Sequence, residues 1–320
     1  MSRIVSTPMV APVERAAKPT ASDFTFVHVV RRLWHAPSWG RCIAPSGWTN
    51  TVPRKDKDKD SRSQLVGYVK DSYLERTSRP IYALAYLLGF LIFYEFGTIL
   101  INPEALSQSL EHLQGRVVAF LWVQQLLRWV GFSGRWLWVA TPSVVVIILL
   151  ALQITSRKGW RVYLRDFVPM TCECVLSAVP LIVLSLLINR VPAAMAATNG
   201  LASNPVFVEI VTGIGAGVYE ELIFRLVLIC VLMFLLQDLL GLSKTRAIVL
   251  SVLLSAVAFS AYHHWGLQGG HLVQGEPFRW QPFVFRTVAG VYFSVLFALR
   301  GFGITAGTHT FYDIIAALLK

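Results

Sequence analysis

From Pro80 onward the chain alternates long apolar stretches with short polar ones. A helix needs about 20 predominantly apolar residues to cross the hydrocarbon core of a bilayer. Stretches of that kind run over 80–101, 138–154, 167–189, 206–240, 247–263, 283–299 and 302–319. The pattern predicts an all-α fold, a polytopic membrane helix bundle of about seven or eight transmembrane helices. Segment 116–133 is mixed, carrying Gln124, Gln125 and Arg128, and reads as an interfacial helix or an eighth span. Segment 206–240 is too long for one straight span, so its first part is expected in the interface or as a kinked lead-in.

Residues 1–79 have a different pattern. The run Arg54-Lys55-Asp56-Lys57-Asp58-Lys59-Asp60 has no apolar face and reads as a solvated linker. Arg3, Glu14, Arg15, Lys18 and Asp23 interrupt residues 1–30, so no secretory h-region is visible there. The expectation is a basic, mostly disordered cytoplasmic tail. Trp34, Trp39 and Trp48, with Arg31 and Arg32 beside them, either touch a lipid surface or share that disorder. Three divisions follow: a tail over 1–79, N-terminal transmembrane helices over 80–204 and a C-terminal unit over 205–320.

Composition supports the membrane reading. Of 320 residues, 55% are hydrophobic and only 15% charged, against roughly 25% charged in soluble domains. The formal net charge is +11, concentrated in the tail and in short loops. A nucleic-acid-binding protein would gather such charge on a groove-reading module, so no nucleic-acid partner is expected. Basic residues mark cytoplasmic loops. Arg76 and Arg79 precede the first span, and counting onward places Arg157-Lys158-Gly159-Trp160-Arg161, Lys244 with Arg246, and Arg300 on the same side. The N-terminus is therefore expected in the cytoplasm of a bacterial cell, with the protein in the plasma membrane. The C-terminus falls outside unless 116–133 also spans. Cys42, Cys172, Cys174 and Cys230 lack disulfide or zinc-knuckle spacing, and the three in apolar runs read as small buried hydrophobes. With no internal repeat visible, a two-half transporter gains no support.

Ionisable residues inside membrane helices are costly and mark function. Three clusters stand out. In Tyr219-Glu220-Glu221-Leu222-Ile223-Phe224-Arg225, Glu221 and Arg225 are i,i+4 in the favourable order. Glu220 lies about 140° around the helix from Arg225, so Arg225 is expected to hold Glu221 and leave Glu220 free to act as a base. The second cluster places Phe259 and His263 on one face, with His264 turned toward the loop as an interfacial residue. The third places His309 and Asp313 at i,i+4, an arrangement in which the acid orients the imidazole or in which a buried polar pair glues helices. This set can bind a divalent metal such as zinc, with Glu220, His263 and His309 as candidate ligands, and activate its water. Alternatively a Glu–His pair activates water directly while His309 donates to a developing oxyanion. Proton transport would need a file of such residues, and these are bunched.

The ordered triple Glu220-Glu221-x-x-x-Arg225, Phe259-x-x-x-His263 and His309-x-x-x-Asp313 resembles the CAAX prenyl protease 2 family, also called CPBP or Abi intramembrane proteases. The likeness covers roughly residues 205–318. It implies an intramembrane endopeptidase, usually described as a metalloprotease, acting on a peptide or protein substrate that is lipidated in the CAAX case. It implies Glu220 and His263 as the water-activating pair and His309 with Asp313 at the oxyanion site. Glu221, Arg225 and Phe259 would support them. The family pattern ends in Asn or Asp; Asp313 donates a hydrogen bond only when protonated, which favours it as an orienter of His309. A catalytically idle scaffold or immunity protein of the same family is the alternative, and retention of all six polar motif residues argues against it.

One expectation concerns depth. At about 1.5 Å per residue, His263 lies far from the cytoplasmic end of its helix and His309 only about 10 Å from that end. Catalytic groups must converge, so either one span boundary is misplaced or the last helix enters deep through the Gly301-Phe302-Gly303 turn; the second is expected, with Glu220, His263 and His309 within about 12 Å of one another.

Overall fold

The computed structural model describes residues 68–69, 71–102, 117–134, 136–188, 205–268, 271–274 and 276–319. Residues 1–67, with the tryptophans, the charged linker and Cys42, lie outside the described residues. A short helix α1 (Tyr73–Thr77) leads into α2 (Pro80–Ile101). Then come α3 (Val118–Trp129), α4 (Trp136–Ser156) and α5 (Phe167–Ile188), the last preceded by a 3₁₀ turn over Leu164–Asp166. Helix α6 (Pro205–Leu239) is followed by α7 (Lys244–His264), α8 (Trp280–Arg300) and α9 (Phe302–Leu318). Between α7 and α8 the backbone forms an antiparallel hairpin, β1 (Trp265–Gln268) with β2 (His271–Gln274), in register Trp265 with Gln274. It is a minor addition to an all-helical bundle.

Among the described residues six helices are long and apolar enough to cross a membrane: α2, α4, α5 (counted from Leu164), α6, α7 and α8. The protein is an integral, multi-pass membrane protein. Two segments of the sequence reading sit outside that set. Helix α3 has 12 residues, about 18 Å, too short to cross. It packs Ala119, Phe120 and Val123 inward, with Phe120 edge-on to Tyr219 at 5.0 Å. Helix α9 has 17 residues, and its first nine, Phe302 to Thr310, are all buried. It is threaded through the bundle rather than facing lipid.

Close approach around α9 depends on two Gly-x-x-x-Gly pairs. A Cβ on Gly217 would collide with Thr310, backbone included, and one on Gly213 would sit 2.6 Å from Asp313 Cβ. On α9 itself, a Cβ on Gly303 would meet the Ala83 backbone at 2.9 Å, and one on Gly307 would meet Cys174 Sγ at 2.7 Å. Small residues at this spacing let membrane helices pack backbone to backbone. Gly301, between α8 and α9, has φ +80°, a conformation that L side chains rarely adopt.

Basic residues gather at one end of the bundle. Arg76 forks onto Asp166 at 2.9 and 3.0 Å, and Tyr82 donates to the same carboxylate at 2.8 Å. Arg79 pairs with Glu75, which also faces Lys158 at 3.9 Å. Arg300 donates to Glu173, to Thr77 Oγ1 at 2.9 Å and to the Leu74 carbonyl at 3.0 Å. Residues 71–79, grouped with the tail by the sequence, therefore belong to the bundle. Burial lowers the Lys158 ammonium from its ordinary pKa.

Cys174 is buried as expected, with Sγ 3.6 Å from the Ile304 carbonyl, but Cys172 is exposed and Cys230 partly so. Successive helical positions face different ways, so an apolar run does not bury all its cysteines.

Candidate active site

Helix α6 is a single helix of 35 residues, and its winding changes at the site. The α-turns end at Glu221, and Leu222–Leu228 form a π-helical stretch containing Arg225. Such wide turns are rare and frequent at functional sites. Glu220, Glu221 and Arg225 are buried at 5%, 0% and 0% exposure. Arg225 Nη1 meets Glu221 Oε1 at 3.1 Å, as the i,i+4 order predicts. Its guanidinium also lies over Phe259 at 4.2 Å and Phe293 at 5.3 Å. Two aromatic faces and one carboxylate compensate a charge that lipid would otherwise penalise.

Glu221 has a second partner. His309 Nδ1 lies 2.7 Å from the same Oε1 that faces Arg225. A carboxylate oxygen accepts, so Nδ1 carries the hydrogen. The other ring nitrogen, Nε2, faces Asp313 Oδ2 at 3.6 Å and Glu220 Oε2 at 3.9 Å. The contact that orients His309 at hydrogen-bond length thus comes from Glu221. Asp313 lies farther off, on the opposite ring nitrogen. Phe293 stacks flat on the imidazole, with centroids 4.6 Å apart and planes at 21°.

Glu220 is not partnerless, as a reading of its own helix suggested. Tyr262, one helix away on α7, donates its hydroxyl to Glu220 Oε1 at 3.2 Å. The next residue, His263, directs Nδ1 to the Phe259 carbonyl at 2.9 Å. A carbonyl only accepts, so Nδ1 holds the hydrogen and Nε2 is left with its lone pair. The His263 ring lies 4.9 Å from Tyr262 and 5.2 Å from Phe259, and Phe259 is 5.9 Å from His309. Both imidazoles therefore fall within the about 12 Å anticipated for a common site. His264 differs from its interfacial expectation. It is 1% exposed, donates Nδ1–H to the Glu276 carbonyl at 3.1 Å and packs on Phe278. The chain folding back after β2 covers it.

The depth mismatch has a different cause from the one anticipated. Gly301 lies level with Ser78, at the start of the first span, so α9 does not begin deep. Instead, about 22 Å of α7 separates Lys244 from Phe259 and about 10 Å of α9 separates Phe302 from His309, yet the Phe259 and His309 rings lie 5.9 Å apart. The α6–α7 hairpin starts farther out, which brings Phe259 and His263 level with His309.

Among the described residues no three His, Cys, Asp or Glu side chains form a set able to hold a metal ion. The sequence reading missed Tyr262, Phe293 and the glycine pairs. The glycine spacing was visible in the sequence. The two aromatic contacts come from other helices and left no local signal.

The fold and site define a helical multi-pass membrane protein with buried and half-buried carboxylates and imidazoles brought together from three helices. Residues 202–315 match the family model described as Rce1-like, type II CAAX prenyl endopeptidase Rce1-like. The match runs from the start of α6 to Ile315 in α9, about a third of the chain, and over that segment the chain is similar to type II CAAX prenyl endopeptidases. No curated protein and no solved structure matches the chain.

Proposed function

We propose that this protein is an endopeptidase of the CAAX-processing type that hydrolyses a peptide bond within the membrane. The observation that carries the reading is the pairing of two adjacent carboxylates with different partners. Glu221 is committed to Arg225 and His309, while Glu220 Oε2 faces His309 Nε2. In the proposed reaction Glu220 takes one proton from water as the water oxygen attacks the scissile carbonyl carbon, while the lone pair on His263 Nε2 accepts a hydrogen bond from the other O–H and orients the molecule. His309, oriented by Glu221, donates Nε2–H to the developing oxyanion while Asp313 stabilises the charged ring. Collapse breaks the C–N bond, and the proton passes to the leaving amine. A carboxylate and an amine are released.

The proposed partners are the lipid bilayer and a peptide or protein substrate with a lipidated C-terminal region. The division at residue 205 is part of the proposal, since the side chains of the proposed catalytic residues all come from α6 to α9. So is the orientation, with the arginine-rich end of the bundle in the cytoplasm of the plasma membrane. A divalent metal such as zinc remains the second hydrolytic route from the sequence, and metal content measured on purified protein with and without chelator separates the two.

The test is cleavage of an internally quenched peptide ending in a farnesylated CAAX sequence, by the full chain in liposomes. Glu220→Ala and His263→Ala should each lower turnover by at least about 100-fold at normal expression. Full activity in both variants overturns the proposal. Comparing membrane peptide termini between wild type and Glu220→Ala identifies the natural substrate.

A further inference from the structure

Tyr262 occupies an unspecified position of the Phe259-x-x-x-His263 motif, yet its hydroxyl makes the hydrogen bond to Glu220 Oε1, at 3.2 Å. The Tyr262 phenolic oxygen in turn accepts the Ala119 backbone N–H at 3.0 Å. Ala119 sits in the first turn of α3, where amide hydrogens have no intrahelical acceptor. An amide only donates, so the phenolic oxygen must accept there, and its single hydrogen is left for Glu220. Rotation of the hydroxyl is thereby settled by a helix from outside the matched segment 202–315.

The ring is held just as firmly. Tyr262 is 8% exposed. Trp122 at 5.1 Å, Phe224 at 5.2 Å and His263 at 4.9 Å surround it edge-on. The ring also forms one wall against His263, so its position bears on both members of the proposed water-activating pair.

We infer that Tyr262 is a positioning residue for Glu220: it fixes Oε1 and leaves Oε2, the oxygen 3.9 Å from His309 Nε2, as the one that receives the proton of the attacking water. A carboxylate free to rotate about its terminal torsion would present either oxygen to the substrate. Held through Oε1, it presents one. The short helix α3 thereby gains a place in the active site, through a backbone amide rather than a side chain. The inference rests on the peptidase reading above.

The experiment uses the full chain in liposomes with the farnesylated quenched peptide. Tyr262→Phe keeps the ring among Trp122, Phe224 and His263 and deletes only the oxygen. The expected result is a kcat about tenfold lower, with KM within about twofold and with the melting temperature little changed. Glu220→Gln combined with Tyr262→Phe should be no slower than Glu220→Gln alone, because the tyrosine acts through the carboxylate. An unchanged kcat per folded molecule in Tyr262→Phe, or full additivity in the double variant, overturns the inference. Should the Phe variant fail to accumulate, trifluorotyrosine at position 262 keeps the hydroxyl and strengthens it as a donor. A kcat shift of at least about threefold then supports the inference, and no shift overturns it. If Glu220→Gln retains wild-type turnover, or the wild type leaves the peptide intact, the peptidase reading itself fails and takes this inference with it. Loss in Glu220→Gln without loss in Tyr262→Phe removes this inference alone.

Discussion

Glu221 Oε1 lies 2.7 Å from His309 Nδ1, joining residues 88 positions apart in sequence. The same oxygen meets Arg225 Nη1 at 3.1 Å. One carboxylate therefore balances a buried cation on its own helix and orients an imidazole on another. The pair of adjacent glutamates divides accordingly: Glu221 holds the site together, and Glu220 remains available to it.

Glu221→Gln should consequently damage folding more than Glu220→Gln does. Arg225 is fully buried, and removing its counter-charge leaves an uncompensated cation inside the bundle. Breaking a buried pair in this way costs about 3–5 kcal/mol. The two flanking rings, Phe259 and Phe293, offset part of it. Thermal melting in detergent should place Glu221→Gln well below wild type and Glu220→Gln near it. Equal melting of the two variants would show that the aromatic faces alone suffice for Arg225.

Phe293 stacks on His309 and lies 2% exposed beside Arg225. Phe293→Ala removes the flat support of the imidazole and opens a cavity, a change that costs about 3–5 kcal/mol in packed cores. Phe293→Leu fills most of the space but restores no ring. The expected order of turnover is wild type, then Leu, then Ala, with the Leu variant keeping most of its stability. Turnover in the Leu variant equal to wild type would limit Phe293 to filling space.

The apolar runs made most of this fold legible, because a bilayer demands long uninterrupted helices. The Glu221–Arg225 pair was equally accessible, since it follows from helical spacing alone. The second ligand of Glu221 was not, because it comes from α9. Nor was the Tyr262 bond to Glu220, which depends on how α7 sits against α6. The depth argument failed for a related reason: it took helix ends as level with the membrane surface, and the α6–α7 hairpin starts farther out. Spacing within one helix determines which residues share a face. Which faces meet depends on small residues such as Gly213 and Gly217, read only once the partner helix is in place.

Gly217 should be the most restrictive glycine on α6. A Cβ there collides with Thr310 side chain and backbone, so α9 would have to move away. Thr310 is one residue from His309, and displacement would lengthen the His309–Glu221 contact. Gly217→Val should therefore lower both melting temperature and turnover. Gly89→Ala serves as the comparison, since nothing lies within 4 Å of the added carbon. It should be near neutral in both measurements. A neutral Gly217→Val would mean that α6 and α9 are not packed as closely as described.

The clamp at the arginine-rich end gives a prediction that separates structure from chemistry. Arg300 ties α8 to Glu173 on α5 and to Leu74, Thr77 and Ser78 around α1. None of these groups belongs to the catalytic cluster. Arg300→Gln shortens the side chain and removes its charge, leaving Glu173 with the Tyr73 hydroxyl, which donates to it at 2.8 Å. Helix α1 has five residues and cannot hold its shape alone, so it should loosen from the bundle. With Cys42, Cys172, Cys174 and Cys230 replaced by serine, a cysteine at Leu74 should react faster with a soluble maleimide in the Arg300→Gln background than with Arg300 intact. In sealed inverted vesicles the same cysteine should be labelled from the cytoplasmic side, and one at Leu319, at the opposite end, should not. Labelling of Leu319→Cys from the cytoplasmic side would reverse the assigned orientation. An unchanged rate at Leu74→Cys would mean that the remaining Arg76–Asp166 and Arg79–Glu75 pairs hold α1 without Arg300.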